Sequence, residues 1–223
     1  MRVPPIHPDL EPQLDTITLD ITRPLILCDA DEVILAFMAA FERFLHGKGF
    51  YYLWRSYALD GNIRDRENNA ELPPEQIRVL IQEFYAQHAK TLAPVAGAAE
   101  ALGKLVERAN IIILTNLWRE HLEFRQRQLA SHGIDYPVLS NTGSKGPPVA
   151  WFQARLKAPL YFIDDSPRHM SAVARDAPKT IRIHFIAERR LSGLFDGADC
   201  HFRTDSWASA RRVIEGDLTV KGY

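Results

Sequence analysis

The sequence has few cysteines and lacks the signatures of several large functional classes. Cys28 and Cys200 are its only cysteines, and neither belongs to a CxxC pair or a Cys/His cluster. A disulfide framework and a structural zinc site are therefore not indicated. The GxxxxGK[ST] and GxGxxG motifs are also absent, which disfavours P-loop ATPases and dinucleotide-dependent oxidoreductases.

The chain also lacks an excess of one charge sign and any long hydrophobic run. It has 27 basic and 28 acidic residues, for a formal net charge of -1, and the basic residues are too scattered to attract nucleic acid or an anionic membrane. No segment approaches the roughly 18 apolar residues of a membrane helix, and the first 15 residues contain no signal-peptide core. We therefore expect a cytoplasmic protein without nucleic-acid or membrane partners.

Short apolar segments alternate with helical patterns along most of the chain. One example is the stripe formed by Ala98, Ala101 and Leu105; the last helix is predicted from about Asp205 to Glu215. This order predicts an α/β fold, a Rossmann-like parallel sheet with helices on both faces. The predicted strands are 24–28, 110–114, 136–140, 159–163, 180–186 and 200–203.

One region interrupts this alternation directly after the first strand. Residues 35–90 show no convincing strand and carry two apolar helical stripes. Because open α/β sheets bind ligands at the carboxyl ends of their strands, we predict a small α-helical cap domain over a site. The core is then 24–34 and 91–223, preceded by an N-terminal arm or edge strand at 1–23. The two stripes are Phe37, Phe41, Phe44 and Leu45, and Ile77, Leu80, Ile81, Phe84 and His88.

Polar residues follow four of the predicted strands. The carboxyl ends of parallel strands share one rim of the sheet. The side chains that follow these strands, which are four acids, a hydroxyl, an amide and an ammonium, could therefore converge on one crevice. Crowded carboxylates are tolerable around a cation such as Mg²⁺, one carboxylate could attack phosphorus, and a second could transfer protons. The residues are Asp29 and Asp31, then Thr115 and Asn116, then Lys145, then Asp164 and Asp165.

In this order the motifs resemble those of the haloacid dehalogenase superfamily of phosphohydrolases. DADEV at 29–33 is similar to DxDx(T/V), ILT at 113–115 to the second motif, Lys145 to the third and FIDD at 162–165 to the fourth. The resemblance extends over nearly all of 24–215. It implies the phosphatase branch with a helical cap inserted after the first motif.

The resemblance implies a role for each matching residue. Asp29 would be the nucleophile and Asp31 the general acid/base, while Thr115 and Lys145 would hold the phosphoryl oxygens and Asn116 would add its backbone amide. An acid at position 31 favours phosphate ester chemistry, since the dehalogenases and the phosphonate-cleaving branch lack one there.

The resemblance likewise implies Mg²⁺ as the cofactor. Asp29, the carbonyl oxygen of Asp31 and an acid of the Asp164/Asp165 pair would hold it, with Asp165 binding directly and Asp164 directly or through water. Glu32 departs from the pattern, because capped phosphatases often carry Gly there. His169 departs too, because it stands where Asn is common.

Substrate recognition is less marked in the sequence than the chemistry. Asn62 and Arg64 lie at a predicted turn of the cap and are candidate specificity residues. The expected substrate is a small phosphorylated metabolite, cleaved as a phosphate monoester through an aspartyl-phosphate. A phosphomutase with the same intermediate, or a noncatalytic phosphate-binding or regulatory protein, is the alternative. The natural substrate and the oligomeric state stay open.

Overall fold

A parallel sheet of six strands forms the centre of the protein in the computed structural model, which describes residues 4–87, 92–194 and 199–223. Two short 3₁₀ turns, Arg119–His121 and Arg189–Leu191, complete the regular structure of the described residues. In chain order the elements are α1 (Glu11–Leu14), β1 (Leu25–Cys28), α2 (Phe37–Gly47), β2 (Phe50–Tyr52), β3 (Ile63–Asp65), α3 (Pro74–Gln87), α4 (Ala98–Leu105), β4 (Asn110–Asn116), α5 (Leu122–Ser131), β5 (Val138–Asn141), α6 (Gly146–Gln153), β6 (Leu160–Asp164), α7 (Pro167–Asp176), β7 (Ile181–Phe185), β8 (Phe202–Thr204) and α8 (Trp207–Val220).

The sheet has the strand order β5-β4-β1-β6-β7-β8, and every neighbouring pair is parallel. All four residues of β1 are fully buried because the strand lies inside a sheet covered on both faces. Ile26 and Cys28 pack into one apolar core and Leu25 and Leu27 into the other. The predicted α/β class and parallel sheet are confirmed.

The register of β1 brings the ends of three strands together. Cys28 is paired with Ile113 of β4 and with Ile163 of β6. Asp29, the first residue after β1, therefore lies next to the last residues of β4 and beside Asp164, the last residue of β6.

Two helices and a short β-ribbon make up the described part of the insertion. The stripe residues Phe37, Phe41 and Phe44 of α2 pack against Phe84 of α3 with ring centroids 5.2 to 5.6 Å apart. The expectation that 35–90 contains no strand is wrong, because β2 pairs antiparallel with β3. Each strand has only three residues, too few to produce a clear alternating pattern. His88 of the second stripe lies outside the described residues.

The N-terminal arm covers an edge of the sheet without joining it as a strand. Its one regular element among the described residues is the single turn α1, whose Leu14, like Leu10 before it, is buried in the second core. The Gln13 amide accepts from the backbone N–H of Ser140 and donates to its carbonyl oxygen, both at 2.9 Å. Because Ser140 lies on the edge strand β5, the arm satisfies backbone groups that the sheet leaves unpaired.

None of the helices in the described ranges is both long enough and apolar enough to cross a membrane. Both cysteines are free, and Cys28 is buried as a small apolar residue at the end of β1. The last helix begins two residues later than predicted and runs five residues further, because Leu218 continues the apolar face of Trp207, Ala210 and Ile214.

Candidate active site

Asp29 stands at the end of β1, where it is buried and lines a small cavity. Its backbone N–H donates to the carbonyl oxygen of Ile163 at 2.9 Å, which continues the pairing with β6. Its Oδ1 accepts from the N–H of Ala30 at 2.7 Å and lies 2.7 Å from Nζ of Lys145. Burial raises the pKa of Asp29 to about 6, against the opposing effect of Lys145.

Lys145 is a fully buried cation held between two carboxylates. Its Nζ lies 2.7 Å from Oδ1 of Asp29 and 2.7 Å from Oδ2 of Asp164. Although burial disfavours the ammonium, Asp164 and Asp29 together raise the pKa of Lys145 above its usual value. The first turn of α6, which begins at the next residue with Gly-Pro-Pro, fixes the backbone of Lys145. The ammonium is therefore a permanent positive charge beside the nucleophile candidate.

Three carboxylates lie close enough to bind one metal ion. Ligand atoms from Asp29, Asp164 and Asp165 are all within 4.8 Å of one another. Burial, with the neighbouring charges of Asp164 and Asp29, raises the pKa of Asp165 well above its usual value. This all-oxygen set fits Mg²⁺, whose charge would offset the repulsion among the acids. The crowding predicted from the strand ends is thus present in the structure.

Thr115 offers a free hydroxyl at the same place. It ends the buried part of β4 with 1% of its surface exposed, and its Oγ1 has no hydrogen-bond partner among the described residues. It lines the same cavity of about 180 Å³ as Asp29 and Lys145. A buried hydroxyl without a hydrogen-bond partner costs free energy. The Thr115 hydroxyl can therefore donate a hydrogen bond to an oxygen of a ligand bound in this cavity.

Asn116 supports the loop that carries Lys145. Its side-chain Nδ2 donates to the carbonyl oxygen of Gly143 at 2.8 Å, and its Oδ1 accepts from Nδ2 of Asn141 at 2.7 Å. Because the side chain is engaged in this way, the role predicted for Asn116 is left to its backbone amide. Asn116 nevertheless lines the cavity at Asp29.

Asp31 is held from two sides by residues that the sequence did not single out for the site. Nη1 of Arg125 donates to Oδ1 at 2.8 Å, and Nη2 donates to Oδ2 at 3.3 Å. The hydroxyl of Tyr85 donates to Oδ2 at 2.6 Å. Arg125 comes from α5 of the core and Tyr85 from α3 of the insertion, so Asp31 joins the two parts.

Glu32 turns the chain into the insertion. Its φ is +60°, in the left-handed region that Gly adopts most easily. Its side chain is not solvent-facing, since only 7% of the residue is exposed. Oε1 accepts from the backbone N–H of Met38 at 2.5 Å, in the first turn of α2.

Asn62 and Arg64, the candidate specificity residues of the cap, are engaged in contacts within the insertion. Nδ2 of Asn62 donates to Oγ of Ser56 at 2.6 Å and to the carbonyl oxygen of Ala58 at 2.8 Å, which folds that loop. Arg64 pairs with Glu71 at 3.2 Å. Neither is among the residues that line the cavity at Asp29, so their proposed contact with substrate stays a prediction.

A second and larger cavity, of about 630 Å³, adjoins the one at Asp29. The two share Tyr57, Asn116, Ser166 and His169 along their common border. Acidic residues, among them Asp29 and Asp165, line the small cavity, and none is among the described residues that line the large one. We call the small cavity the reactive end and the large cavity the chamber.

Known structures share this arrangement of elements, although no protein-family model matches the chain and no curated protein gives a significant match. A conserved haloacid dehalogenase-like protein of unknown function from Agrobacterium tumefaciens strain C58 aligns with a TM-score of 0.62 at 15% identity, covering 87% of this chain and 98% of that one. A predicted phosphoglycolate phosphatase from Haemophilus somnus 129PT aligns with a TM-score of 0.61 at 12% identity, covering 88% and 100%. A provisional beta-phosphoglucomutase from Bacteroides vulgatus aligns with a TM-score of 0.56 at 18% identity, covering 96% and 97%.

Proposed function

We propose that this chain, which has the haloacid dehalogenase-like fold, is a Mg²⁺-dependent phosphohydrolase that cleaves a small organic phosphate monoester through an aspartyl-phosphate. One observation carries the proposal. Asp29, paired with the buried Lys145, shares a 180 Å³ cavity with the unpartnered hydroxyl of Thr115. A nucleophile, a fixed cation and a free donor around a space of that size suit a phosphoryl group.

Asp29 is the nucleophile of the proposed reaction. A carboxylate oxygen forms a bond to phosphorus while the bond from phosphorus to the ester oxygen breaks. Lys145 and Thr115 hold the phosphoryl oxygens and stabilise the charge that develops on them. Water then attacks phosphorus, which releases phosphate and restores the carboxylate of Asp29.

Asp31 is the general acid and base of the proposed reaction, and its hydrogen bonds favour one of its two oxygens for proton transfer. Oδ2 accepts from both Tyr85 and Arg125, whereas Oδ1 accepts from Arg125 alone. Since a carboxylate oxygen has two lone pairs, Oδ1 keeps a free acceptor site. We therefore assign proton transfer to Oδ1, which gives a proton to the leaving alcohol and takes one from the attacking water.

Asp29, Asp165 and Asp164 are the side chains that would hold Mg²⁺, together with the carbonyl oxygen of Asp31. When bound, the cation neutralises negative charge on the phosphoryl group. A cytoplasmic location, where small phosphorylated metabolites are found, is part of the same proposal.

A phosphomutase is the second candidate. It would use the same aspartyl-phosphate but return the phosphoryl group to a sugar instead of to water. The 630 Å³ chamber favours this reading, because it leaves room beside Asp29 for a sugar ring. Interconversion of sugar phosphate isomers without phosphate release would distinguish the mutase from the hydrolase.

The test is phosphate release from a panel of small phosphate monoesters, with and without Mg²⁺. We expect Mg²⁺-dependent release by the parent protein and none by Asp29→Asn. Asp135→Asn, an exposed acid between α5 and β5, is the matched control and should keep parental release. No release from any ester by folded, Mg²⁺-loaded parent protein would overturn the hydrolase.

A further inference from the structure

The larger chamber has walls that differ in charge from the reactive end. Its described lining includes Ser56, Tyr57, Arg168, Ser171 and Leu194, and none of its described lining residues is acidic. The acids at Asp29 therefore stand at one end of a continuous space whose other end has a cationic wall.

Arg168 supplies the cation of this chamber. It is the second residue of α7, it is exposed, and it has no ion pair or hydrogen bond among the described residues. Among the described residues that line the chamber, Arg168 is the only Lys, Arg, Asp or Glu. The positive end of the α7 dipole adds potential of the same sign at this wall.

Two further polar groups of the chamber lack partners. The hydroxyl of Tyr57 and Nδ1 of His169 are buried and form no hydrogen bond with any described residue. Burial, with the charge of Lys145, lowers the pKa of His169 to about 3, so the ring is neutral. Nε2 lies 3.5 Å from Nδ2 of Asn116, an amide donor, and the tautomer that fits this contact carries its proton on Nδ1. Both unpartnered groups can therefore donate hydrogen bonds.

We infer that the leaving group of the substrate carries a second anionic group, a carboxylate or a further phosphate, which Arg168 binds with help from Tyr57 and His169. This inference rests on the proposed phosphohydrolase and deepens it. Among the described residues Arg168 has no counterion, and the buried Tyr57 hydroxyl and Nδ1 of His169 have no acceptor, so an oxyanion bound in the chamber would supply a partner for each group that it reaches. The shared border places this anion site next to the phosphoryl pocket, so one substrate could span both.

The experiment compares matched phosphate esters of equal chain length, from two to six carbons. Alkyl phosphates carry one anionic group, ω-carboxyalkyl phosphates add a carboxylate, and α,ω-alkanediol bisphosphates add a phosphate. For each ester with a second anionic group, the measured quantity is the ratio of its kcat/KM to that of the alkyl phosphate of the same length. This ratio is measured in the parent, Arg168→Gln and Arg168→Lys. Arg78→Gln is the control, because Arg78 is an exposed arginine of α3 outside both cavities.

In the parent we expect a ratio of about ten or more for the carboxylate or the phosphate series, since hydrogen bonds to charged groups are worth roughly one to two orders of magnitude. Arg168→Gln should bring that ratio close to one, Arg168→Lys should keep part of it, and Arg78→Gln should keep all of it. Whichever series shows the larger ratio names the second anion. A parental ratio near one, or a ratio that Arg168→Gln leaves intact, overturns the inference but not the hydrolase.

Binding separates failure of this inference from failure of the proposed reaction. If no ester is turned over, the same pairs are titrated calorimetrically into the parent and Arg168→Gln in the presence of Mg²⁺. Tighter binding of the doubly anionic ester that Arg168→Gln abolishes would support the anion site in a noncatalytic protein. Equal binding of the paired esters, or no binding of either, would overturn it.

Discussion

Arg125 and Asp31 form a two-point ion pair, with Nη1 2.8 Å from Oδ1 and Nη2 3.3 Å from Oδ2. The two partners are unequally buried, since the side chain of Arg125 is fully buried and that of Asp31 keeps 19% of its surface exposed. Asp31 is therefore both a proposed proton-transfer group and the counterion of a guanidinium inside the protein. A substitution at Asp31 will affect stability as well as catalysis.

Removing Asp31 should destabilise the fold through Arg125. We expect Asp31→Ala to lower the free energy of unfolding by about 3 kcal/mol or more, because it leaves a buried cation unpaired. The double variant Asp31→Ala/Arg125→Met should recover much of this loss, because the unpaired charge is gone and the alkyl volume is kept. Urea unfolding of the four proteins in the cycle measures both values. A double variant less stable than Asp31→Ala would contradict the assignment.

Tyr85 is expected to orient Asp31 from the insertion. Burial, followed by the charge of Asp31, raises the pKa of Tyr85 well above its usual value, so the phenol stays a donor. Tyr85→Phe should lower kcat about three- to tenfold with little change in KM, because the carboxylate loses one of its three contacts. The free energy of unfolding should fall by only about 1 kcal/mol.

The control for Tyr85→Phe is Tyr51→Phe. The hydroxyl of Tyr51 donates to Oδ1 of Asn69 at 2.5 Å on the surface of the insertion. This variant loses a comparable hydrogen bond but should keep parental kcat. Equal kcat values for the two variants would show that Tyr85 serves the fold alone.

The residues predicted for the reactive end come together in the structure because they lie at strand ends or in the loops that follow them. A parallel sheet brings strand ends to one rim whatever the loops between them. Nζ of Lys145, in the loop after β5, therefore lies 2.7 Å from Oδ1 of Asp29 and 2.7 Å from Oδ2 of Asp164, although the three residues are far apart in the chain. Arg125 and Tyr85 were missed because each lies on a helix stripe with apolar neighbours. The sequence does contain one signal, because Arg125 lies between Leu122 and Leu129 on the helix stripe that faces the core. A charged residue in that position implies a counterion elsewhere in the chain.

The structure of the insertion at 35–90 was harder to predict than that of the core. Its stripes identify α2 and α3, but the packing of loop 53–62 depends on side-chain contacts such as those of Asn62 with Ser56 and Ala58. These contacts have no periodic signature in the sequence. A turn with polar tips can fold on itself or face a ligand, and composition does not distinguish the two.

Glu32 should make the stability of the metal-free protein depend on pH. Burial raises the pKa of Glu32 to about 7 from its ordinary 4.5. Between these pH values Glu32 is protonated in the folded protein and ionised in the unfolded chain. Its contribution to the free energy of unfolding therefore falls as pH rises, by about 3 kcal/mol at the upper limit. Glu32→Gln removes this dependence and can still accept from the N–H of Met38.

The measured quantity is the difference in free energy of unfolding between Glu32→Gln and the parent, with a chelator present. From pH 4.5 to pH 7 the stability of Glu32→Gln relative to the parent should increase, and above pH 7 the difference should stay constant. Glu67→Gln, at an exposed acid of the insertion, should give a difference that is constant with pH. A constant difference for Glu32→Gln as well would mean that Glu32 titrates normally.

Arg190 should restrain the insertion against the core. It lies in the 3₁₀ turn after β7, and its Nη1 is 2.9 Å from Oε2 of Glu42 on α2. Its guanidinium carbon also lies 3.7 Å from the centroid of the Trp54 ring. Loss of an ion pair and a cation–π contact, together about 1 to 2 kcal/mol, should raise local opening of residues 50–57 roughly five- to thirtyfold in Arg190→Met.

Hydrogen exchange of that segment, followed by mass spectrometry, measures this opening. Arg189→Met is the matched control, because Arg189 is the exposed neighbour and forms no ion pair among the described residues. It should leave exchange in 50–57 at the parental rate. High salt should move the parent partway toward Arg190→Met, because an exposed ion pair is screened while the ring contact is less affected. Equal exchange in the parent and Arg190→Met at low salt would show that Arg190 does not restrain the insertion.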